Sequence, residues 1–210
     1  IISKVGDMQL VDVIDGSYKS GFLLSVFIII GAFSASASSL LEQFEQSLAS
    51  MGDYGVTFSV KIGDVATEGH YAVSGNDFYI VVGDVEYYVA AGVKHEVNRA
   101  RQEIVVDSAE SLGSDLLSNP AQGFSILARD FEQSDAVVDS HRAVRLTPRS
   151  GEGGQIVVVA DKSGVLPHTI VYIYDDAQMV ITLERIESLD SGIPRFDASK
   201  YVDFELVDMR

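Results

Sequence analysis

Residues 54–90 read YGVTFSVKIGDVATEGHYAVSGNDFYIVVGDVEYYVA, and their reading decides the fold. Val56, Phe58 and Val60 alternate with Thr57, Ser59 and Lys61, the period-two pattern of a strand with one face turned inward. Gly63-Asp64, Gly75-Asn76 and Gly83-Asp84 interrupt the chain at short intervals and leave runs at 68–74, 77–82 and 85–90. Strands separated by such brief Gly, Asn and Asp turns form an antiparallel meander.

The same grammar continues outward. One strand is predicted over 93–106, and others near 141–148, 155–161, 167–175 and 178–187. Stretches such as 78–82 (FYIVV) and 156–159 (IVVV) are apolar on both sides, so each face of the sheet needs a cover. Two helical segments can supply it. Ser39-Leu40-Leu41-Glu42 is a capping box, and Leu40, Leu41, Phe44, Leu48 and Met51 follow at helical spacing until Gly52. The second segment, 108–133, contains Asn119-Pro120 as a helix start and carries Phe124, Leu127 and Phe131 on one stripe. Gly151, Gly153 and Gly154 read as a turn, since no strand-to-helix context for a phosphate loop surrounds them. The segment 190–200 reads as a loop that ends in a short run, 202–207. No repeat or linker divides residues 38–210, which are expected to form one mostly antiparallel domain.

Ahead of that domain lies Phe22–Phe33, FLLSVFIIIGAF, with Lys19 before it and Ala35-Ser36-Ala37 after it. A basic flank, a short uncharged apolar run and an A-x-A site describe a secretory signal peptide, with cleavage between Ala37 and Ser38. Residues 1–37 are accordingly assigned to the leader, which either starts at Met8 or extends upstream of Ile1. A bilayer span takes roughly 20 apolar residues, so the run is short for one.

Charge narrows the partners. The chain carries 31 acids against 15 bases, a formal net charge of -16. With no basic patch in the sequence, nucleic acid is not expected as a partner. There is no cysteine, which excludes disulfides, thiolate metal sites, a cysteine nucleophile and an acylated N-terminal cysteine.

Motifs for catalysis are not found. His70, His95, His141 and His168 fall on separate segments. His95-Glu96 opens like a zinc-protease motif, but Arg99 occupies the place of the second histidine. Gly123-Phe124-Ser125 opens like a nucleophile elbow, but Leu127 replaces the closing glycine. No cofactor, metal or enzymatic activity is expected. Tyrosine-rich strands and a helical stripe point instead to an apolar layer between sheet and helices, either filled or left as a cleft.

The order of segments resembles the periplasmic lipoprotein carriers of the LolA type, in their divergent Bacteroidetes-like branch. The resemblance rests on VEYYVAAGVKHEVNRA (85–100), LSNPAQGFSILARDFE (117–132), RLTP (145–148), the strand pair 156–186 with its proline after the turn, and FDASKYVDFELVDMR (196–210). It implies an incomplete, strongly curved antiparallel β-barrel with a helical lid on the concave face, and a hydrophobic cavity beneath. It further implies a monomeric periplasmic carrier that binds acylated lipoproteins or other lipids, served by an inner-membrane release complex and an outer-membrane receptor. Asn76–Ile80 lacks the lid-contacting arginine of better-known members, and Gly83-Asp84 stands where they have an Asp-Gly-x-x-x-Trp turn. The cavity is expected between Phe78, Ile80 and Tyr88 on the strands and Phe124, Leu127 and Phe131 on the lid. Two other readings compete: a non-catalytic structural or interaction module on the same fold with a filled core, and an enzyme using two carboxylates distant in sequence.

Overall fold

The computed structural model describes residues 39–113, 116–174 and 177–210; the apolar run 22–33 and the expected Ala37–Ser38 cleavage site lie outside them. Helix α1 (Leu40–Ser50) starts as its sequence dictates, with the Ser39 hydroxyl accepting from Glu42 N and Glu42 accepting from Ser39 N. It leads into β1 (Tyr54–Ile62), β2 (Val65–Ser74), β3 (Asp77–Val82), β4 (Val85–Ala90), β5 (Val93–Asn98) and β6 (Glu103–Ser108). Gly63, Gly75 and Gly83 each open a two-residue turn at positive φ, near +57°, while the Asp or Asn that follows does not share it. That is the turn geometry whose twist matches paired strands.

A short 3-10 turn, Ala109–Ser111, and helix α2 (Gly123–Asp130) separate this meander from a second one. It comprises β7 (Phe131–Val138), β8 (His141–Pro148), β9 (Gln155–Ala160), β10 (Pro167–Tyr174) and β11 (Ala177–Ser188). After a loop and a 3-10 turn (Ala198–Tyr201), β12 (Glu205–Asp208) ends the described chain's sheet. The strand order is β12-β6-β5-β4-β3-β2-β1-β11-β10-β9-β8-β7. The result is one large, open, curved sheet that does not close into a barrel. Its inner, concave face carries both helices.

Four boundaries differ from the sequence reading. The strand expected over 93–106 is two strands with a turn at 99–102, where Gln102 adopts φ +53° and Asn98 Oδ1 accepts from Arg101 N at 3.0 Å. Without a glycine the turn had no compositional mark. The helical region 108–133 contracts to eight residues, because the chain turns extended at Phe131 (φ -119°, ψ 148°) and enters β7. Helix α2 also starts later than Asn119-Pro120 predicts, after Gln122 and without a side-chain cap. A Cβ on Gly123 would stand 2.9 Å from Leu116 Cα, so the helix can begin there only because the residue is glycine. Finally, the run 202–207 becomes β12, which joins β6 in parallel.

Candidate functional site

The inner face is built by alternation. Val56, Phe58 and Val60 of β1 pair with β2 and β11, and register carries the inward set across the sheet: Tyr71↔Ile80, Ile80↔Tyr87 and Val60↔Ile181. These residues join Val144, Leu146, Ile156, Val158, Ile170 and Tyr172 from the far half in one apolar cluster with α1 and α2. Burial at about 25 cal/mol per Å² makes such a layer the main source of the domain's stability.

Helix α2 lies over this layer. Its Phe124 and Leu127 are 4% and 1% exposed and pack in the same cluster as Phe78 and Ile80, each 1% exposed. The Phe124 ring sits 6.0 Å from that of Phe44 on α1. Ser125 donates to Glu45, and Gln122 Nε2 donates to Asn76 Oδ1 at 3.4 Å, tying α2 to α1 and to the β2–β3 turn. Phe131, now the first residue of β7, remains half-buried against the same cluster.

Tyr88 does not belong there. Inward-facing Ile80 is opposite Tyr87, so Tyr88 is opposite Tyr79 and points to the outer face, in a separate cluster with Val97, Ile104, Val106 and Tyr201. A one-residue shift in a strand exchanges the faces, and the double tyrosine concealed which of the two turned inward. Tyr87 takes the expected place, 8% exposed. Sequence reasoning also missed Leu116 and Leu117, 0% and 3% exposed in the segment before α2, which no periodicity marks.

The inner layer contains few ionisable groups. Burial pushes the Tyr54 hydroxyl up to about 12 and that of Tyr71 well above its ordinary value, so both stay neutral. Their rings meet edge-on at 6.4 Å. Lys94, 6% exposed and opposite inward-facing Val89, holds its ammonium 3.7 Å from the Asp107 carboxylate, and among the described residues no group of three or more His, Asp or Glu is placed to hold a metal ion. His95 lies on β5 rather than on a helix and stacks on Phe196, with burial lowering its pKa.

A groove of about 550 Å³ lies elsewhere, on the outer face of β7–β11. Val157, Val159, Val171 and Val180 form its walls, and His141, Lys162 and His168 stand along it. It is separated by the sheet from the residues expected to line a cavity.

The described residues thus form an open, curved, mostly antiparallel sheet with helices covering its concave face. No family model matches the chain, and no curated protein matches it. Among solved structures, it resembles an uncharacterized conserved protein from Thermus thermophilus at TM-score 0.52 and 10% identity, over 83% of this chain and 99% of that one. A LolA superfamily protein from Nitrosomonas europaea matches at TM-score 0.39 and 9% identity, over 80% and 98%. A chain of the Pseudomonas aeruginosa MucA/MucB complex matches at TM-score 0.46 and 13% identity, over 76% of this chain and 59% of that one. Identities this low speak to fold alone.

Proposed function

We propose that this protein is a non-catalytic carrier that shields the acyl chains of lipoproteins, or of other lipids, between the inner face of its sheet and helix α2. The observation that carries the reading is α2 itself. It has eight residues, no side-chain cap at its N-terminus, and two large apolar side chains buried in the same cluster as Phe78 and Ile80. A helix that short does not persist in water unaided. Its order depends on apolar contact that a ligand can replace.

Magnitudes favour exchange. Burying Phe124 and Leu127 is worth about 3–6 kcal/mol together. An acyl chain gains about 0.8 kcal/mol per buried CH₂, so about ten such groups outweigh both side chains. The carrier would act in the periplasm as a monomer, after removal of residues 1–37, taking cargo from an inner-membrane release complex and delivering it to an outer-membrane receptor. N-terminal sequencing of protein recovered from a Gram-negative host tests the export step: the expected first residue is Ser38, and a mature protein that retains 22–33 refutes cleavage.

The second reading, an interaction module with a permanently filled core, is favoured by the near-complete burial of Phe78, Ile80 and Leu127. A Phe124→Asp/Leu127→Asp variant separates the two through a thermal melt and a fluorescent fatty-acid titration. A folded variant that has lost fatty-acid binding supports the carrier. An unfolded variant together with a wild type that binds nothing supports the filled core. A folded variant that binds like wild type removes α2 from the mechanism.

A further inference from the structure

Glu86 is a charged group in an apolar setting, only 3% exposed. It sits on the outer face of β4, between β3 and β5, and its carboxylate collects donors. Tyr88 Oη donates to Oε2 at 2.6 Å, Tyr79 Oη at 3.0 Å, and Arg99 Nε donates to Oε1. All three donors belong to the sheet or its β5–β6 turn. Tyr201 alone comes from outside the meander: its Oη is 2.9 Å from Tyr88 Oη and 3.5 Å from Glu86 Oε2.

Tyr201 lies in the segment 193–208, which crosses the outer face of β4–β6 and then pairs with the β6 edge. Its grip is local. Phe196 stacks on His95 at 4.0 Å and parallel to the Tyr201 ring at 5.8 Å, and Arg195 meets the Asp77 carboxylate at 2.6 Å. Glu205 N donates to Gln102 O at 2.8 Å and Met209 N to Val106 O at 2.9 Å. β12 is four residues long and runs parallel to β6, whereas the other neighbouring pairs described are antiparallel. Much of the segment faces water, with Val202 and Leu206 exposed at 78% and 60%. Few buried contacts and a short ladder are the marks of a unit that opens below the global unfolding free energy.

We infer that residues 193–208 form a detachable strap, seated on a Glu86-centred site that stays satisfied without it, and that its release bares the β6 edge for an extended partner segment. The decisive point is the division of the donors. Lifting the strap removes Tyr201 but leaves Glu86 with Tyr79, Tyr88 and Arg99, so no buried charge is orphaned by opening. The uncovered surface comprises the β6 backbone edge and the side chains of Tyr88, Val97, Ile104 and Val106. What fits it is described by the strap: an extended segment with three aromatic side chains, like Phe196, Tyr201 and Phe204, ahead of a short parallel strand, a form of strand addition.

The test uses the full chain. Hydrogen exchange read by mass spectrometry compares wild type with Tyr201→Phe, which removes one hydroxyl. Amides in 197–208 and in β6 should exchange about three- to tenfold faster in the variant, the effect of one lost hydrogen bond, while β1 and β11 keep their protection. In parallel, a labelled synthetic peptide of residues 193–208 should bind saturably to a Phe196→Ala/Tyr201→Ala variant and not to wild type. Exchange that rises equally in the strap and in β1–β11 overturns the inference, as does unchanged exchange or a folded double variant that ignores the peptide. If the double variant does not fold, the Tyr201→Phe exchange pattern decides alone.

Discussion

Replacing Glu86 by glutamine should change stability in a way that depends on pH, and the sign follows from the site. Burial of Glu86 raises its pKa, but hydrogen bonds from Tyr88, Arg99 and Tyr79 together outweigh burial and hold it below the usual glutamate value. A carboxyl depressed in the folded state stabilises fully above its unfolded pKa, about 4.3, and loses that contribution as pH falls through the folded value. Hydrogen bonds to a charged acceptor are worth about 1.5–3 kcal/mol each. Glu86 accepts three, but the Arg99 side chain is 55% exposed and water takes over part of its role. Glutamine also keeps one acceptor oxygen. Glu86→Gln should therefore cost about 2–4 kcal/mol at pH 7, narrowing to under about 1 kcal/mol near pH 2. Urea unfolding of both proteins across that range measures the difference, and other depressed carboxyls such as Asp161 and Asp208 cancel between them. A difference that is large at pH 7 and equally large at low pH would refute an ionised Glu86 as the centre of this cluster.

Other outcomes follow from packing. A Cβ on Gly69 would meet Phe58 Cζ at 2.4 Å and Val81 O at 2.9 Å, so Gly69→Ala should destabilise by about 1–3 kcal/mol and lower the Tm; an unchanged melt contradicts that close approach. Leu127→Ala should cost about 2–5 kcal/mol if α2 melts with the sheet, and less if α2 undocks first, which circular dichroism and intrinsic tyrosine fluorescence would report as two separated transitions. Leu206→Ser, at a side chain 60% exposed, should change stability by no more than about 0.5 kcal/mol, and a larger loss in urea would mean that β12 is held more firmly than its exposure indicates.

The first meander was legible because its turns are written in glycine. Gly63, Gly75 and Gly83 supply the positive φ that each hairpin needs, and Ser39 and Glu42 spell out the helix cap. Legibility failed where structure is set by contacts between distant segments. Gln102 and the Asp139-Ser140 pair take positive φ without glycine, which hid the β5–β6 and β7–β8 hairpins. The stripe Phe124, Leu127, Phe131 is helical in spacing, but only pairing of Phe131 with Pro148 on β8 decides that the third member is in a strand. Of the six residues expected around a cavity, five pack into or against the inner layer and Tyr88 does not. The Glu86 cluster escaped notice because Tyr201, the fourth side chain around the carboxylate, is brought in by the last segment of the fold, where the sequence offers only a loop.

The strand order also governs how the molecule assembles in time. β1–β6 and β7–β11 are each zipped by connections between consecutive strands, and the two halves meet where β1 lies against β11. Each half can form by nearby closures, whereas that seam joins residues from opposite ends of the domain and carries the largest loop-closure entropy. The register slip between Thr57 and Phe58 lies within it. Folding speed is thus set at one line through the middle of the sheet, and substitutions along it should slow refolding, whereas those in the β8–β9 hairpin should mainly hasten unfolding.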